Sequence, residues 1–167
     1  MIGIRDERPE DAASIDAVTR SAFGTATHSS GTEQFVVRAL RAAGRLSTSL
    51  VAVEDARIVG HIATSPVRIG DGTPGWHGLG PLSVAPRVQR QGIGTRLVTQ
   101  ALARLREAGA AGCVVLGDPG YYARFGFRAE PGLVLPGIAP GFFQAMAFDG
   151  PLPAGEVAYD AAFEADA

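Results

Sequence analysis

The stretch that decides the fold is residues 79–105, which read LGPLSVAPRVQRQGIGTRLVTQALARL. Its first six residues are an apolar run typical of a strand, which Ala85 and Pro86 end. A polar loop with two glycines follows. Apolar residues then recur at helical spacing, at Ile93, Leu97, Val98, Ala101, Leu102 and Leu105. The stretch therefore predicts a strand, a glycine-containing loop and the start of a helix.

This order of elements predicts a binding site for an anion. The first N–H groups of a helix have no partner within the helix, and the helix dipole adds partial positive charge there. Gly92 and Gly94 carry no side chain that would keep a ligand away from these groups. We therefore expect a phosphate or diphosphate to bind at the start of this helix.

The loop does not have the spacing of the common nucleotide-binding loops. A P-loop needs a lysine, and this chain contains none. A dinucleotide loop needs a third glycine, and Leu97 stands at that position. The hexapeptide QRQGIG at residues 89–94 instead resembles the Q/R-x-x-G-x-G/A acetyl-CoA motif of the GNAT superfamily of N-acetyltransferases.

A second motif supports this resemblance. Residues 116–127 read LGDPGYYARFGF, similar to the Tyr-x-x-x-Gly-Phe ending of the same superfamily, with Tyr122 at the tyrosine position. The combination is similar to a bacterial subgroup of predicted acetyltransferases. In the superfamily fold, two strands of a mixed sheet separate and acyl-CoA inserts between them. The resemblance therefore implies acetyl-CoA as co-substrate.

The resemblance also implies how the cofactor is held. Main-chain groups of strand residues would pair with the pantetheine arm, and loop and helix N–H groups would hold the diphosphate. The implied cofactor-binding residues are Leu82, Ser83, Val84, Gln89, Arg90, Gln91, Gly92, Ile93, Gly94 and Thr95. Arg87 and Arg90 either add charge beside the phosphates or are solvated surface arginines.

Two side chains are predicted to take part in catalysis. Tyr122 would hydrogen-bond the leaving sulfur; the alternative is that it only packs against neighbouring phenylalanines. Many relatives carry a glutamate base on the fourth strand, where this chain has a glycine-rich segment, residues 78–80. His77 at the start of that strand is the substitute that we predict, because imidazole titrates near neutral pH; the alternative is a surface histidine.

The whole chain predicts a mixed α/β (α+β) fold of the GNAT acyltransferase type in one domain, residues 1–167. Strand, helix and turn patterns follow in the order β, α, α, three β, α, β, α, β, β, which gives about seven strands and four helices. The polar residues 24–31 are predicted to form a loop that selects substrate or simply connects two helices.

Composition narrows the function classes. The net charge is −2, which gives no reason to expect nucleic acid or an acidic membrane as partner. The three histidines and Cys113 lack metal-ligand spacing, so no metal is expected. A single cysteine and the absence of a signal-like or membrane-spanning pattern predict a cytoplasmic protein. A homodimer stays open, because dimers are common in the family.

The leading hypothesis is transfer of an acetyl group from acetyl-CoA to a primary amine, which attacks the thioester directly. The acceptor, a small molecule or a peptide, stays open. A non-catalytic acyl-CoA-binding module that acts as sensor or assembly partner is the alternative, and transfer of a longer acyl group is a third possibility.

Overall fold

The computed structural model describes residues 1–24 and 31–167, and most of the predicted loop at residues 24–31 therefore lies outside the described residues. Within the described residues there are nine strands and four helices, in the predicted order except for two additional short strands, β4 and β7. The helices are α1 (Ala12–Phe23), α2 (Glu33–Ala42), α3 (Ile93–Glu107) and α4 (Pro119–Tyr122). The strands are β1 (Ile2–Asp6), β2 (Thr48–Glu54), β3 (Arg57–Pro66), β4 (Arg68–Ile69), β5 (Trp76–Val84), β6 (Gly112–Leu116), β7 (Leu133–Val134), β8 (Phe143–Ala147) and β9 (Gly155–Ala158).

Six strands form the main sheet, in the order β1-β2-β3-β5-β6-β8. All neighbours are antiparallel except β5 and β6, which are parallel because α3 carries the chain across between them. The apolar side of α3 is buried, including Leu97 and Leu105, and packs with β2, β3 and β6 in the largest core cluster. The mixed α/β fold predicted from the sequence is confirmed.

The central feature of the sheet is a gap between β5 and β6. Their pairing runs from Trp76 opposite Gly112 to Leu79 opposite Val115. Beyond Leu79, β5 continues to Val84, where it pairs with β3 on its other side. Gly80 and Pro81 form a bulge at this point, because the register against β3 shifts there. The part of β5 after Leu79 is therefore unpaired on the side of β6, and this edge faces a cleft.

The remaining three strands form a small separate sheet in the order β4-β9-β7. β3 ends at Pro66, and Arg68 and Ile69 of β4 pair with β9. β7 also pairs with β9. This small sheet brings the C-terminal segment against the end of β5.

A polar network fixes the position of α2 over the main sheet. Arg41 of α2 donates two hydrogen bonds to Glu7, at 2.8 and 3.0 Å. Glu7 also accepts from the Ser49 hydroxyl, which lies 2.7 Å from Nε2 of the buried His61. Burial lowers the pKa of His61 to about 4, so its ring is neutral at physiological pH. The network joins the residue after β1 to β2, β3 and the last turn of α2.

Candidate functional site

The predicted anion site at the start of α3 has the expected backbone geometry. Gly92 precedes the helix with φ of +83°, a conformation that favours glycine, and it has no side chain to cap the helix. Arg90 also has a positive φ, of 64°. The tight loop turns the first N–H groups of α3 toward the cleft beside β5.

These N–H groups border a cavity of about 480 Å³, which we call the helix-end cavity. Its lining residues come from α1, β5, the loop before α3, the start of α3, and α4 with the residues that follow it. They are Ala22, Phe23, Leu82, Val84, Gln89, Arg90, Gly92, Ile93, Gly94, Thr95, Tyr121 and Arg124.

Most of the predicted cofactor-binding residues meet in this cavity, and two do not line it. Ser83 is buried on the opposite side of β5, so only its main chain can face the cleft. Gln91 is exposed on the loop. Gln89 donates a hydrogen bond from its side-chain amide to the Val84 carbonyl, at 2.9 Å, and so fixes the loop against β5.

The arginines beside the cavity differ from those expected. Arg87 points away from the lining and pairs with Glu54 at 3.2 Å. Arg90 lines the cavity, and so does Arg124, which the sequence analysis did not select. The guanidinium of Arg124 stacks 4.5 Å from the ring centroid of Tyr121 and donates to the Tyr121 carbonyl. Tyr121 in turn lies 3.1 Å, hydroxyl to hydroxyl, from Thr95 of α3.

Tyr122 faces a second side of the cleft. Asp118 accepts a hydrogen bond from the N–H of Gly120, and Pro119 begins α4. These two residues set the turn that carries Tyr122. The ring of Tyr122 contacts Phe127 edge to face at a centroid distance of 5.9 Å. Burial raises the pKa of Tyr122 to about 12, with smaller contributions from Tyr121 and Cys113. The phenol is therefore protonated across the physiological range.

This second side is a cavity of about 400 Å³, which we call the aromatic cavity. It is lined by Phe23, Thr32, Glu33, Val36, Leu79, Gly80, Pro81, Leu82, Leu116, Tyr122, Leu135, Tyr159 and Phe163. Phe23 and Leu82 line both cavities, so the two meet at these residues. Among the described residues that line it are four aromatic side chains and one carboxylate.

Tyr159 explains the glycine at position 78 of β5. A Cβ at Gly78 would lie 2.5 Å from Cε1 of Tyr159, so the ring occupies the space that any side chain there would need. Tyr159 also contacts Phe163 at a centroid distance of 4.9 Å. Burial raises the pKa of Tyr159, which keeps this phenol neutral as well.

His77, the predicted base, is not among the residues that line either cavity. Its Nδ1 lies 2.9 Å from the Ser47 hydroxyl, and burial lowers its pKa. Cys113 is buried in β6, and burial raises the pKa of its thiol, as suits an inert core residue. Among residues 1–24 and 31–167, no cluster of His, Cys, Asp and Glu is suited to a metal ion. No helix in the described chain is both long and apolar enough to span a membrane.

Sequence reasoning missed the residues that come from distant segments. Tyr121 and Arg124 lie within the recognised motif, and their spacing of three residues on one helical turn was the available signal. Glu33, Tyr159 and Phe163 gave no comparable signal, because only the folded chain brings α2 and the C-terminal segment to the end of β5.

Comparison with known proteins agrees with this geometry. The model of the acetyltransferase (GNAT) family matches residues 15–127. The chain is 41% identical over 126 residues to the uncharacterized N-acetyltransferase YhbS of Escherichia coli (strain K12), which covers 75% of this chain and 72% of YhbS.

Solved structures give the same result. A GNAT family acetyltransferase from Brucella melitensis, crystallised in complex with acetyl-CoA, is similar with a TM-score of 0.88 and 52% identity, over 98% of each chain. YhbS from Escherichia coli in complex with CoA has a TM-score of 0.87 and 36% identity, over 98% of this chain and 92% of YhbS.

Proposed function

Because the chain belongs to the GNAT family of acetyltransferases, we propose that it transfers the acetyl group of acetyl-CoA to a primary amine. The observation that carries this proposal is the gap between β5 and β6, with the start of α3 opening into it. Similar proteins were crystallised with acetyl-CoA or CoA bound, which supports the same cofactor here.

The helix-end cavity would hold the cofactor. Main-chain N–H groups between Gln91 and Thr95 bind the diphosphate, and the edge of β5 at Leu82, Ser83 and Val84 pairs with the pantetheine arm as an added strand would. Arg90 and Arg124 stand beside the phosphates. The thioester then points toward Leu82, where the two cavities meet.

The reaction is a direct acyl transfer in which bonds and protons balance. The neutral amine nitrogen attacks the thioester carbonyl carbon, and a C–N bond forms. A main-chain N–H of β5 stabilises the negative charge that develops on the carbonyl oxygen. The C–S bond then breaks, the nitrogen loses one proton and the sulfur gains one, which gives the acetylated amine and CoA.

Tyr122 would assist the leaving sulfur by hydrogen bonding. A thiol has a pKa of about 8.5, so a phenol with a pKa near 12 gives up its proton to a thiolate only uphill. The role that suits Tyr122 is therefore donation of a hydrogen bond as charge builds on the sulfur, while the proton from nitrogen arrives as the intermediate collapses. His77 is not assigned a step, because it lines neither cavity.

The test measures CoA binding by calorimetry and thiol release from acetyl-CoA with a panel of amines. Tyr122→Phe is expected to lower kcat about 100-fold while the Kd for CoA stays unchanged. Tyr121→Phe is the matched control: it removes the contact to Thr95 and is expected to weaken CoA binding while kcat is retained. In the wild type, kcat should show no fall from Tyr122 ionisation below about pH 11, because the phenol stays protonated until then.

The outcomes separate the alternatives. Saturable CoA binding without turnover for any amine would indicate a non-catalytic module, and no CoA binding by well-folded protein would refute the proposal. Turnover by Tyr122→Phe equal to wild type would remove this residue from the mechanism. Competition between acetyl-CoA and longer acyl-CoA thioesters tests the acyl preference.

We also propose that residues 1–167 act as one domain, which the aromatic cavity supports because its wall runs from Phe23 to Phe163. A cytoplasmic location is supported by the single reduced cysteine, Cys113. Whether two copies associate is a question for light scattering in solution.

A further inference from the structure

A glycine directly after β6 lies against the ring of Tyr122. A Cβ added at Gly117 would lie 2.5 Å from Cε2 of that ring, closer than a Cβ normally approaches another heavy atom. Gly117 is not among the glycines with a positive φ, so its backbone conformation does not require glycine. The space does, because the ring of Tyr122 rests directly on the main chain at this point.

The main chain of Gly117 is fixed by two hydrogen bonds to residues in and just before β8. Its N–H donates to the carbonyl of Phe142, at 2.9 Å, and its own carbonyl accepts from the side-chain amide of Gln144, at 3.2 Å. Gln144 is buried, and it pairs with Val115 of β6. The surface on which Tyr122 rests is therefore held by the main sheet.

Other aromatic rings hold Tyr122 from its remaining sides. Phe127 and Tyr121 contact it edge to face, with ring centroids at 5.9 and 5.0 Å, and Phe125 lies at 6.2 Å. These three neighbours are side chains, which can adjust their rotamers, whereas the main chain of Gly117 is tied to β8. Gly117 therefore sets how far the ring of Tyr122 can approach the sheet.

We infer that Gly117 and Gln144 are positioning residues, which place the hydroxyl of Tyr122 where it can donate a hydrogen bond to the leaving sulfur. This inference rests on the role of Tyr122 in the proposed acetyl transfer. Gln144 holds the main chain of Gly117, and Gly117 leaves room for the ring. A misplacement of about 1 Å can lower a rate about 100-fold, because catalytic groups act only over a narrow range of distances.

Gly117→Ala tests this role, because it displaces the ring without removing the hydroxyl. The kcat for acetylation should fall about 10- to 100-fold, while the Kd for CoA should change less than about twofold. In the Tyr122→Phe background the same substitution should leave kcat unchanged, because no hydroxyl remains to be displaced. An equal fall in both backgrounds would overturn the inference, and so would full activity of Gly117→Ala.

Gln144→Met tests the second residue. It keeps the approximate length of the side chain and removes the hydrogen bond to Gly117, so kcat should fall about threefold, again only when the Tyr122 hydroxyl is present. Gly141→Ala is the matched control: Gly141 is exposed just before β8, and a Cβ there meets nothing within 4 Å. This control should behave as wild type. An unchanged kcat in Gln144→Met would overturn the role of Gln144.

Thermal unfolding tests the contact between Gly117 and Tyr122 without reference to activity. Gly117→Ala should lower Tm by about 2–10 °C, because the added carbon is forced against the ring. In the Tyr122→Ala background, where the ring is absent, the same substitution should lower Tm by less than about 2 °C. Equal losses in both backgrounds would show that the ring is not the reason for the glycine, and would overturn the inference.

Failure of the inference and failure of the proposed function give different results. Acetylation by the wild type, with independent effects of Gly117→Ala and Tyr122→Phe on kcat, would support acetyl transfer and overturn the inference. CoA binding without turnover of any amine would refute the proposed function. A loss of Tm that depends on Tyr122 would even then show that Gly117 sets the position of the ring.

Discussion

The two cavities of the cleft are built in different ways, although they share Phe23 and Leu82. The helix-end cavity depends largely on main-chain groups of one continuous stretch, from β5 through the loop to the start of α3. The aromatic cavity depends on side chains from segments far apart, including Glu33 and Tyr159. Main-chain binding constrains shape, whereas side-chain binding sets charge and polarity. Under the proposed function, the first cavity therefore holds the cofactor, and the second borders the end of the cofactor that carries the thioester.

The largest effect that separates the two cavities is expected from Gly94→Asp. The new carboxylate would stand where we propose that the diphosphate binds, and repulsion between like charges should raise the Kd for CoA by about 100-fold or more. Folding should be retained, because an acidic residue at the start of a helix is stabilising by about 0.3–1 kcal/mol. Calorimetry with CoA and thermal unfolding measure the two properties separately.

The control for this change is Gly3→Asp. Gly3 is exposed on β1, and a Cβ there meets nothing within 4 Å, so the charge changes without a change in the cleft. CoA binding in this variant should equal wild type. Full CoA binding by Gly94→Asp would mean that the diphosphate does not lie at the start of α3, and the distinction between the cavities would lose its basis.

The difference between the cavities also determines what the sequence could reveal. The elements of the helix-end cavity follow one another between Leu82 and Thr95, so a motif of local spacing identified them. Arg124 and Tyr121 were missed only because the side of a short helical turn that faces the cavity depends on packing. The separation of β5 and β6 was expected from the resemblance, since the periodicity of residues does not report where pairing ends.

The aromatic cavity could not be predicted in this way. Arg68 of β4 pairs with Ala158 of β9 across 89 intervening residues, and this long-range pairing places Tyr159 over Gly78. A glycine in β5 indicates a close approach but does not say which residue makes it. For the same reason, His77 was predicted from its position in the strand, whereas its contact to Ser47 depends on the folded chain.

An intermediate effect, confined to the aromatic cavity, is expected from Tyr159→Ala. Loss of the ring removes one wall and should raise KM for the best amine of the panel about tenfold, because an aromatic contact surface is lost. The free energy of unfolding should fall by about 2–3 kcal/mol, since the ring packs against the second core cluster. Steady-state kinetics and chemical denaturation measure these changes.

Tyr159→Phe provides the control, because it keeps the ring that covers Gly78 and removes only the hydroxyl. Its KM for the amine should be close to wild type. The Kd for CoA should change less than about twofold in both variants if the cavities are independent. A large loss of CoA affinity in Tyr159→Ala would show that the two cavities are coupled through their shared residues.

The smallest effect on CoA binding is expected from the charged side chains that line the helix-end cavity. Arg124→Ala removes one exposed positive charge beside the phosphates, which is worth about 1 kcal/mol at most, so the Kd for CoA should rise about threefold to fivefold. This difference should shrink as salt is added, because exposed charges are screened. Arg87→Ala is the matched control, since Arg87 pairs with Glu54 and does not line the cavity. If both variants weaken CoA binding equally, the arginines act through the electrostatic field of the surface and not through contact, and CoA is then held mainly by main-chain groups.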